Sequence, residues 1–562
     1  MDLLAFEQDR GFVLKALRRG EIDYLEPVTE AVEADFFRHL INRQILDRLA
    51  ESYPTPRQKQ EVPVWLYLAS ELTLKLRGSQ GYHAYPRLLR SGGLIEALGP
   101  QRGGRKTRHP KTGEVTLACP GFNHKNDYDR QTPCDQDFLR KFARDTQPER
   151  LHAWFNREVP RALRSLKLFG EEGLFLGDAS YLFVPDNEHY EGSDRLWFDE
   201  HNHPVDPDKV DLSDPRYQLR RCYKLVSLIH VNRPLTFFFV VAARVVGGRR
   251  HECPILYELA EQFVKAAGAG VMKMLIVDRG LIDGPRMGRL KQVHRVNTLV
   301  PLRTNMDAYA DAIGLTRLPN FQWEPYRRPA APPPATPSRP KPARVAKREA
   351  KRQQTLAQRP AGAGQPNPAA AKPAADPGLP HTLLGIGQGL LSWSDCPVPL
   401  TAVINREVDE HGQHQDWVLV TTAAKRDAQQ IRSTYELRTA IEERHRQYKC
   451  FWDLTRMHSR AFSLVVNQTL FVLLAYTLLQ AHLLLRHRQR LNGMTRTSIL
   501  DLLSPTLEVV AVYYQQRFCL LSLPEFARIL LNLEETARHR LQKRMRQFEK
   551  NLDGLLHNPR SP

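Results

Sequence analysis

Paired cysteines are missing from this sequence. Seven cysteines are scattered through 562 residues without a repeated spacing. That excludes the disulfide framework of a small secreted domain and points to a reducing cytoplasm. A secretory leader is not expected either, because MDLLAFEQDRGFVLK has no basic stretch followed by an apolar one. No Gly-rich phosphate loop with Walker spacing occurs, and Gly247-Gly248 in VVGGRR reads as a hairpin turn. Cys119, His124 and Cys134 fall short of a zinc set, being three ligands in no finger spacing. His201-Asn202-His203 spells HNH, but a nuclease of that name spreads those residues over a ββα unit, so the triplet reads as a polar loop. Negative charge is also short. Lys and Arg number 81 against 62 Asp and Glu, a formal charge of +19 and a pI near 9.6. Such an excess favours a polyanionic partner, nucleic acid first and an anionic membrane second.

The length allows about two to four domains and a large core. Residues 1–165 read as mostly helical, with helix-spaced apolar residues over Val62–Leu76 and Tyr85–Leu98. Gln101–Lys111 is a basic loop that either tracks phosphates or is simply solvated. Residues 166–305 change period. Leu174–Gly177 reads as a strand ending at Asp178, and Lys224–Val231 and Leu235–Val246 as paired strands. Cys253–Ala267 reads as a helix, Val271–Val277 as a buried strand ending at Asp278, Pro285–His294 as a helix and Thr298–Leu302 as a strand. This order predicts an α/β fold, a mixed sheet with helices on its faces.

Residues 306–415 read as an insertion subdomain. Its 327–379 tract is crowded with Pro, Ala, Arg and Lys. It cannot bury enough apolar surface to offset its ordering entropy, which predicts disorder. Strands resume at Val398–Val408 and Asp416–Thr422, and residues 416–490 return to the sheet region. Ala461–Leu485 is apolar enough to imitate a membrane span, but Asn467, Gln468, Thr469, Thr477 and Gln480 interrupt it. A buried core helix is expected, with no membrane. Residues 491–562 read as a basic helical region, with Arg538, Arg540, Lys543, Arg544, Arg546 and Lys550 in its last helix.

The most informative stretch is Tyr435–Lys449, YELRTAIEERHRQYK. Its residues favour helix and no Pro or Gly interrupts it. On a regular helix Tyr435, Arg438, Glu442 and Lys449 share a stripe roughly 60° wide and about 21 Å long. A carboxylate flanked by cations suits a metal held beside a phosphate backbone. Asp178 and Asp278 sit at predicted strand ends, where sites in open sheets collect. With Glu442 they form a trio of carboxylates that repel one another unless a cation lies among them. Mg²⁺ suits such oxygens, and two ions about 3.5–4 Å apart serve phosphodiester chemistry. Asp283, past the second strand, and Glu443, beside Glu442, are rivals for the second and third places. Trp452 is either a base-stacking platform or core.

Tyr435, Arg438, Glu442 and Lys449 are separated by two, three and six residues. That spacing resembles the YREK signature of bacterial insertion-sequence DDE transposases, the group typified by insertion sequence four. GDAS around Asp178 and VDRG around Asp278 look like that family's first and second aspartate motifs. The gaps are 278 − 178 = 100 and 442 − 278 = 164 residues, and the longer one resembles the family's habit of carrying a β-rich domain before the glutamate. The resemblance covers about residues 165–485 and implies an RNase H-like core with a β-rich insertion before the Glu442 helix. It implies a helical, DNA-end-binding N-terminal region. It also implies Mg²⁺ or Mn²⁺, two ions, held by Asp178, Asp278 and Glu442, and terminal DNA positioned by Tyr435, Arg438 and Lys449. The implied partners are double-stranded DNA, as terminal inverted repeats and target, and a second copy of the chain in a homodimeric synapse. The implied place is the cytoplasm, at the nucleoid. Two rival readings are an RNase H-like metal-dependent nuclease without strand transfer and a catalytically inactive, transposase-derived DNA-binding protein.

Overall fold

The computed structural model describes residues 10–31, 34–58, 62–78, 81–85, 105–108, 115–118, 134–232, 237–328, 382–408, 413–492, 494, 496–503, 506–515 and 517–557. Contacts divide the chain into two units, one of Met1–Thr298 with Leu437–Pro562, the other Leu299–Glu436.

The sheet of the first unit is built on Leu174–Val184. Its opening residues run parallel to Met274–Val277, from Leu174 beside Met274 to Gly177 beside Val277. Its whole length is antiparallel to Gln218–Asn232, with Asp178 opposite Ser227. Gln218–Asn232 pairs in turn with Phe237–Gly247 and with Asp194–Phe198. Both parallel and antiparallel ladders are present, so the sheet is mixed. Leu225–Val231 and Phe237–Ala243 are buried at every position, because helices cover the sheet and neither face of these strands is left to solvent. Those helices are Glu252–Ala267, Pro148–Ser165 and Phe462–Leu485.

One glycine sets the packing near Asp178. A Cβ on Gly177 would lie 2.6 Å from Leu256 Cδ2. Only the absence of a side chain lets helix Glu252–Ala267 approach so closely. Alternation along the strand then turns Asp178 to the opposite face.

Three N–H groups of Phe237–Gly247 are met by helix side chains. Val240 N donates to Thr477 Oγ1 at 3.1 Å, Ala243 N to Asn156 Oδ1 at 2.8 Å and Val245 N to His152 Nε2 at 3.0 Å. Such capping removes the pairing template that a bare edge presents. Phe462–Leu485 is long and apolar enough to cross a membrane, yet it is buried inside the fold. Two of its polar residues are bonded to protein: Asn467 Oδ1 accepts from Tyr67 Oη at 3.0 Å, and Gln468 Nε2 donates to Arg456 O at 3.1 Å.

The terminal regions are not purely helical. Tyr24–Ala31 is antiparallel to Thr506–Tyr514, which is antiparallel to Arg517–Ser522. Val13 and Leu17 pack with Val512, Leu521, Ala537 and Leu541 in one apolar cluster. The helical reading of both ends overlooked this because a strand whose partner lies far away in the chain shows no local pairing signal. Arg105–Arg108 is a strand paired with Val115–Ala118, so part of the expected basic loop is β-structure. Cys119 and His124 lie outside the described residues, and Cys134 is a buried thiol beside Tyr85 Oη.

The second unit is β-rich. Thr382–Leu390, Leu400–Val408 and His414–Thr421 form an antiparallel meander, with Glu324–Pro325 on the outer side of the first. Leu299–Pro301 pairs with the far side of His414–Thr421. Helices Asp307–Leu315 and Ala428–Tyr435 complete it. Nearly all of the 327–379 tract lies outside the described residues. The architecture is the expected α/β one: a mixed sheet flanked by helices, with a β-rich insertion before the Glu442 helix.

Candidate active site

The parallel pairing of Gly177 with Val277 sets Asp178 and Asp278 side by side, each one step further along its strand. Neighbouring strands lie about 4.8 Å apart, so the two backbones hold these aspartates close although 100 residues separate them. The sequence predicts that Asp178 ends its strand, and it does not. Pairing with Gln218–Asn232 carries the strand on to Val184. Asp278 does end its strand, and its carboxylate accepts from Arg279 N at 2.6 Å.

The Tyr435–Lys449 stretch is helical but not one regular helix. It runs as α-helix Ala428–Tyr435, a 3₁₀ turn Glu436–Arg438, α-helix Thr439–Arg446 and a π turn Gln447–Phe451. A constant 100° projection therefore fails across the whole stripe, because the tighter and wider turns change the angular step. The Arg438–Glu442 spacing survives: Arg438 Nη1 meets Glu442 Oε1 at 3.0 Å. The other arm of the same guanidinium, Nη2, meets Asp278 Oδ2 at 3.0 Å. One cation thus bridges two carboxylates. The side chains are 22% exposed at Arg438, 41% at Asp278 and 60% at Glu442, so each pair contributes about 1 kcal/mol or less. The bridge is inexpensive to open.

Asp178 lies deeper. Burial pushes its carboxyl up to about 6, with the charges of Asp278 and Glu442 adding to the rise; the bond from Ala179 N and the charge of Arg438 oppose it. Lys449 is largely enclosed. Burial holds its ammonium below the ordinary lysine range, and the charge of Asp178 works against that. The structure therefore gathers Asp178, Asp278, Arg438, Glu442 and Lys449. Tyr435 belongs to the second unit, where its ring lies 6.1 Å from that of Trp417.

His445 completes the group and is absent from the sequence reading. Its Nε2 is 3.2 Å from Ser227 Oγ and its Nδ1 is 3.9 Å from Asp178 Oδ2. Burial, with Lys449 and Arg438 nearby, lowers its pKa to about 3. The imidazole is therefore neutral at physiological pH, and the contact with Asp178 is dipolar, not an ion pair. Its spacing three residues after Glu442 was visible; that Ser227 would stand opposite Asp178 was not. The rivals have other roles. Asp283 caps helix Gly284–His294 by accepting from Arg286 N at 3.0 Å. Glu443 is held by two bonds from Arg446, at 2.7 and 2.8 Å. Trp452 is buried, 5.8 Å from the Tyr476 ring, so it is core and no stacking platform for a base.

Three carboxylates are the donor chemistry that hard divalent ions prefer. Among the described residues, however, no group of three His, Cys, Asp or Glu side chains is close enough to hold an ion. The guanidinium of Arg438 stands between two of the three donors.

Residues 192–478 match the family model described as "Transposase DDE domain". That span is 478 − 192 + 1 = 287 residues, just over half of the 562. It contains Asp278 and Glu442, and it begins 192 − 178 = 14 residues after Asp178. No curated protein matches the chain.

Proposed function

From the premise that this chain belongs to the DDE transposase family, we propose that it cuts DNA at the terminal inverted repeats of an insertion sequence and joins the ends to target DNA. Within the family, the YREK spacing favours the insertion-sequence-four group. Water opens a phosphodiester bond and leaves a 3′-OH. That hydroxyl then attacks a target phosphodiester, forming one bond as another breaks, so no nucleotide cofactor is consumed.

The family generally uses divalent metal ions. Asp178, Asp278 and Glu442 would hold Mg²⁺ or Mn²⁺, two ions in this reading, and the metal would lower the pKa of the attacking group and stabilise the leaving oxygen. The remaining roles fall to the chain itself. Arg438 presents a two-pronged donor to a phosphate and Lys449 a point charge. Tyr435 contributes a hydroxyl and an aromatic face. His445, neutral and bonded to Ser227, orients the carboxylate of Asp178. Double-stranded DNA is the substrate, and two copies of the chain would bring two ends together.

The observation that supports this reading best is the placement of Asp178 and Asp278 on adjacent strands, with Glu442 tied to Asp278 through Arg438. The test uses DNA carrying candidate terminal repeats with Mg²⁺ or Mn²⁺. The wild type should nick it and transfer the 3′ end, and Glu442→Gln should bind the end but cut nothing. Nicking that survives Glu442→Gln would remove this assignment. Nicking without transfer under all conditions would favour the nuclease reading.

A further inference from the structure

Arg438 lies between Asp278 and Glu442, two of the three carboxylates assigned above to metal. It contacts both Asp278 and Glu442, at 3.0 Å from each, using its two terminal nitrogens. Its charge also acts on Asp178. One guanidinium therefore neutralises part of a cluster whose members otherwise repel. The same residue carries the planar, bidentate donor set best suited to a phosphate.

We propose that Arg438 is an internal counter-cation, a latch that closes the carboxylate cluster to metal until DNA draws it away. This rests on the proposed function above, since it takes the three carboxylates as metal donors. The two terminal nitrogens that hold the carboxylates are also the fork a phosphate takes bidentately, so the two grips compete. When a backbone phosphate takes the Arg438 fork, Asp278 and Glu442 lose their shared cation and regain affinity for a divalent ion. The carboxylates are half-exposed and Arg438 is partly so, which lets the exchange proceed without unfolding the core. Metal and DNA then favour each other's binding, because each removes what blocks the other. DNA-free protein, with its latch closed, holds metal weakly and has little capacity for indiscriminate cutting.

The experiment measures Mn²⁺ binding to the full chain by calorimetry, without DNA and then with a short duplex of mixed sequence. The proteins are the wild type, Arg438→Ala, Arg438→Gln and Asp278→Asn. Removing a cation a few ångströms from two carboxylates should tighten Mn²⁺ binding about tenfold or more in Arg438→Ala without DNA. Arg438→Gln, which keeps much of the side chain's bulk, should do the same and covers the case in which Arg438→Ala does not fold. Duplex DNA should tighten Mn²⁺ binding to the wild type and change it little in either Arg438 variant. Equal or weaker Mn²⁺ affinity in both Arg438 variants overturns the latch and leaves the proposed function standing. Mn²⁺ binding that is absent in every protein, or unchanged in Asp278→Asn, overturns the metal assignment as well.

Discussion

Asp178→Asn should stabilise the DNA-free, metal-free protein at neutral pH. The carboxyl is held at about 6 in the folded chain, against roughly 3.9 in an unfolded one. Its folded pKa is raised, so the stability this group contributes is fully present below about pH 4. It is lost as pH rises through about 6. Above that window the folded protein carries an ionised carboxylate it would rather protonate. The difference of about two units, at 1.36 kcal/mol each, sets a ceiling of about 3 kcal/mol. Asparagine removes the charge and keeps an oxygen to accept from Ala179 N. A specific unfolding entropy near 2 cal/mol/K per residue, over about 300 cooperative residues, converts this to a rise of about 3–5 °C. The assay is thermal unfolding in chelator at pH 7.5, with the wild type followed in parallel from pH 5 to 7.5. A fall in Tm on substitution would refute the reasoning, because it would make Asp178 a stabilising structural residue. A buried acid whose removal stabilises the fold is one kept for chemistry.

Three further outcomes are expected. Gly177→Ala should lower stability by about 1–3 kcal/mol, because its Cβ would meet Leu256 Cδ2 at 2.6 Å; an unchanged denaturant midpoint would contradict the close approach. In the Asp178→Asn background, free of that carboxyl's opposing contribution, stability should fall as pH drops below about 6.5 toward 4. His152 and His230, whose pKa values are lowered to about 3 and about 4, accept from Val245 N and Gly170 N and cannot do so when protonated. Urea midpoints that stay flat over that range would count against it. Lys449→Ala should weaken binding to duplex DNA and reduce the slope of log affinity against log salt by about one charge; an equal slope in fluorescence anisotropy would take Lys449 off the phosphate.

The local parts of the site are legible along the chain. The run from Tyr435 to Lys449 is helix-forming, and a spacing of four puts Arg438 against Glu442 whatever surrounds them. The strands that carry Asp178 and Asp278 announce themselves through dense apolar, β-prone residues. The polar interruptions of Phe462–Leu485 signal partners within a protein core, and the structure supplies them at Tyr67 and Arg456.

Long-range pairing is a different matter. Local pattern gives each strand a face and a period but no neighbour. Only the assembled sheet sets Gly177 beside Val277, and with it Asp178 beside Asp278. The same holds for Tyr24–Ala31 beside Thr506–Tyr514. Side-chain fates follow from those neighbours: His445 is neutral because it is buried, and Trp452 is core because Tyr476 lies next to it. The sequence by itself therefore determined which residue types were present and which lay within a turn of one another. The tertiary structure decided which distant acids meet and that Arg438 stands between two of them, since burial and electrostatic pairing are properties of neighbours in space.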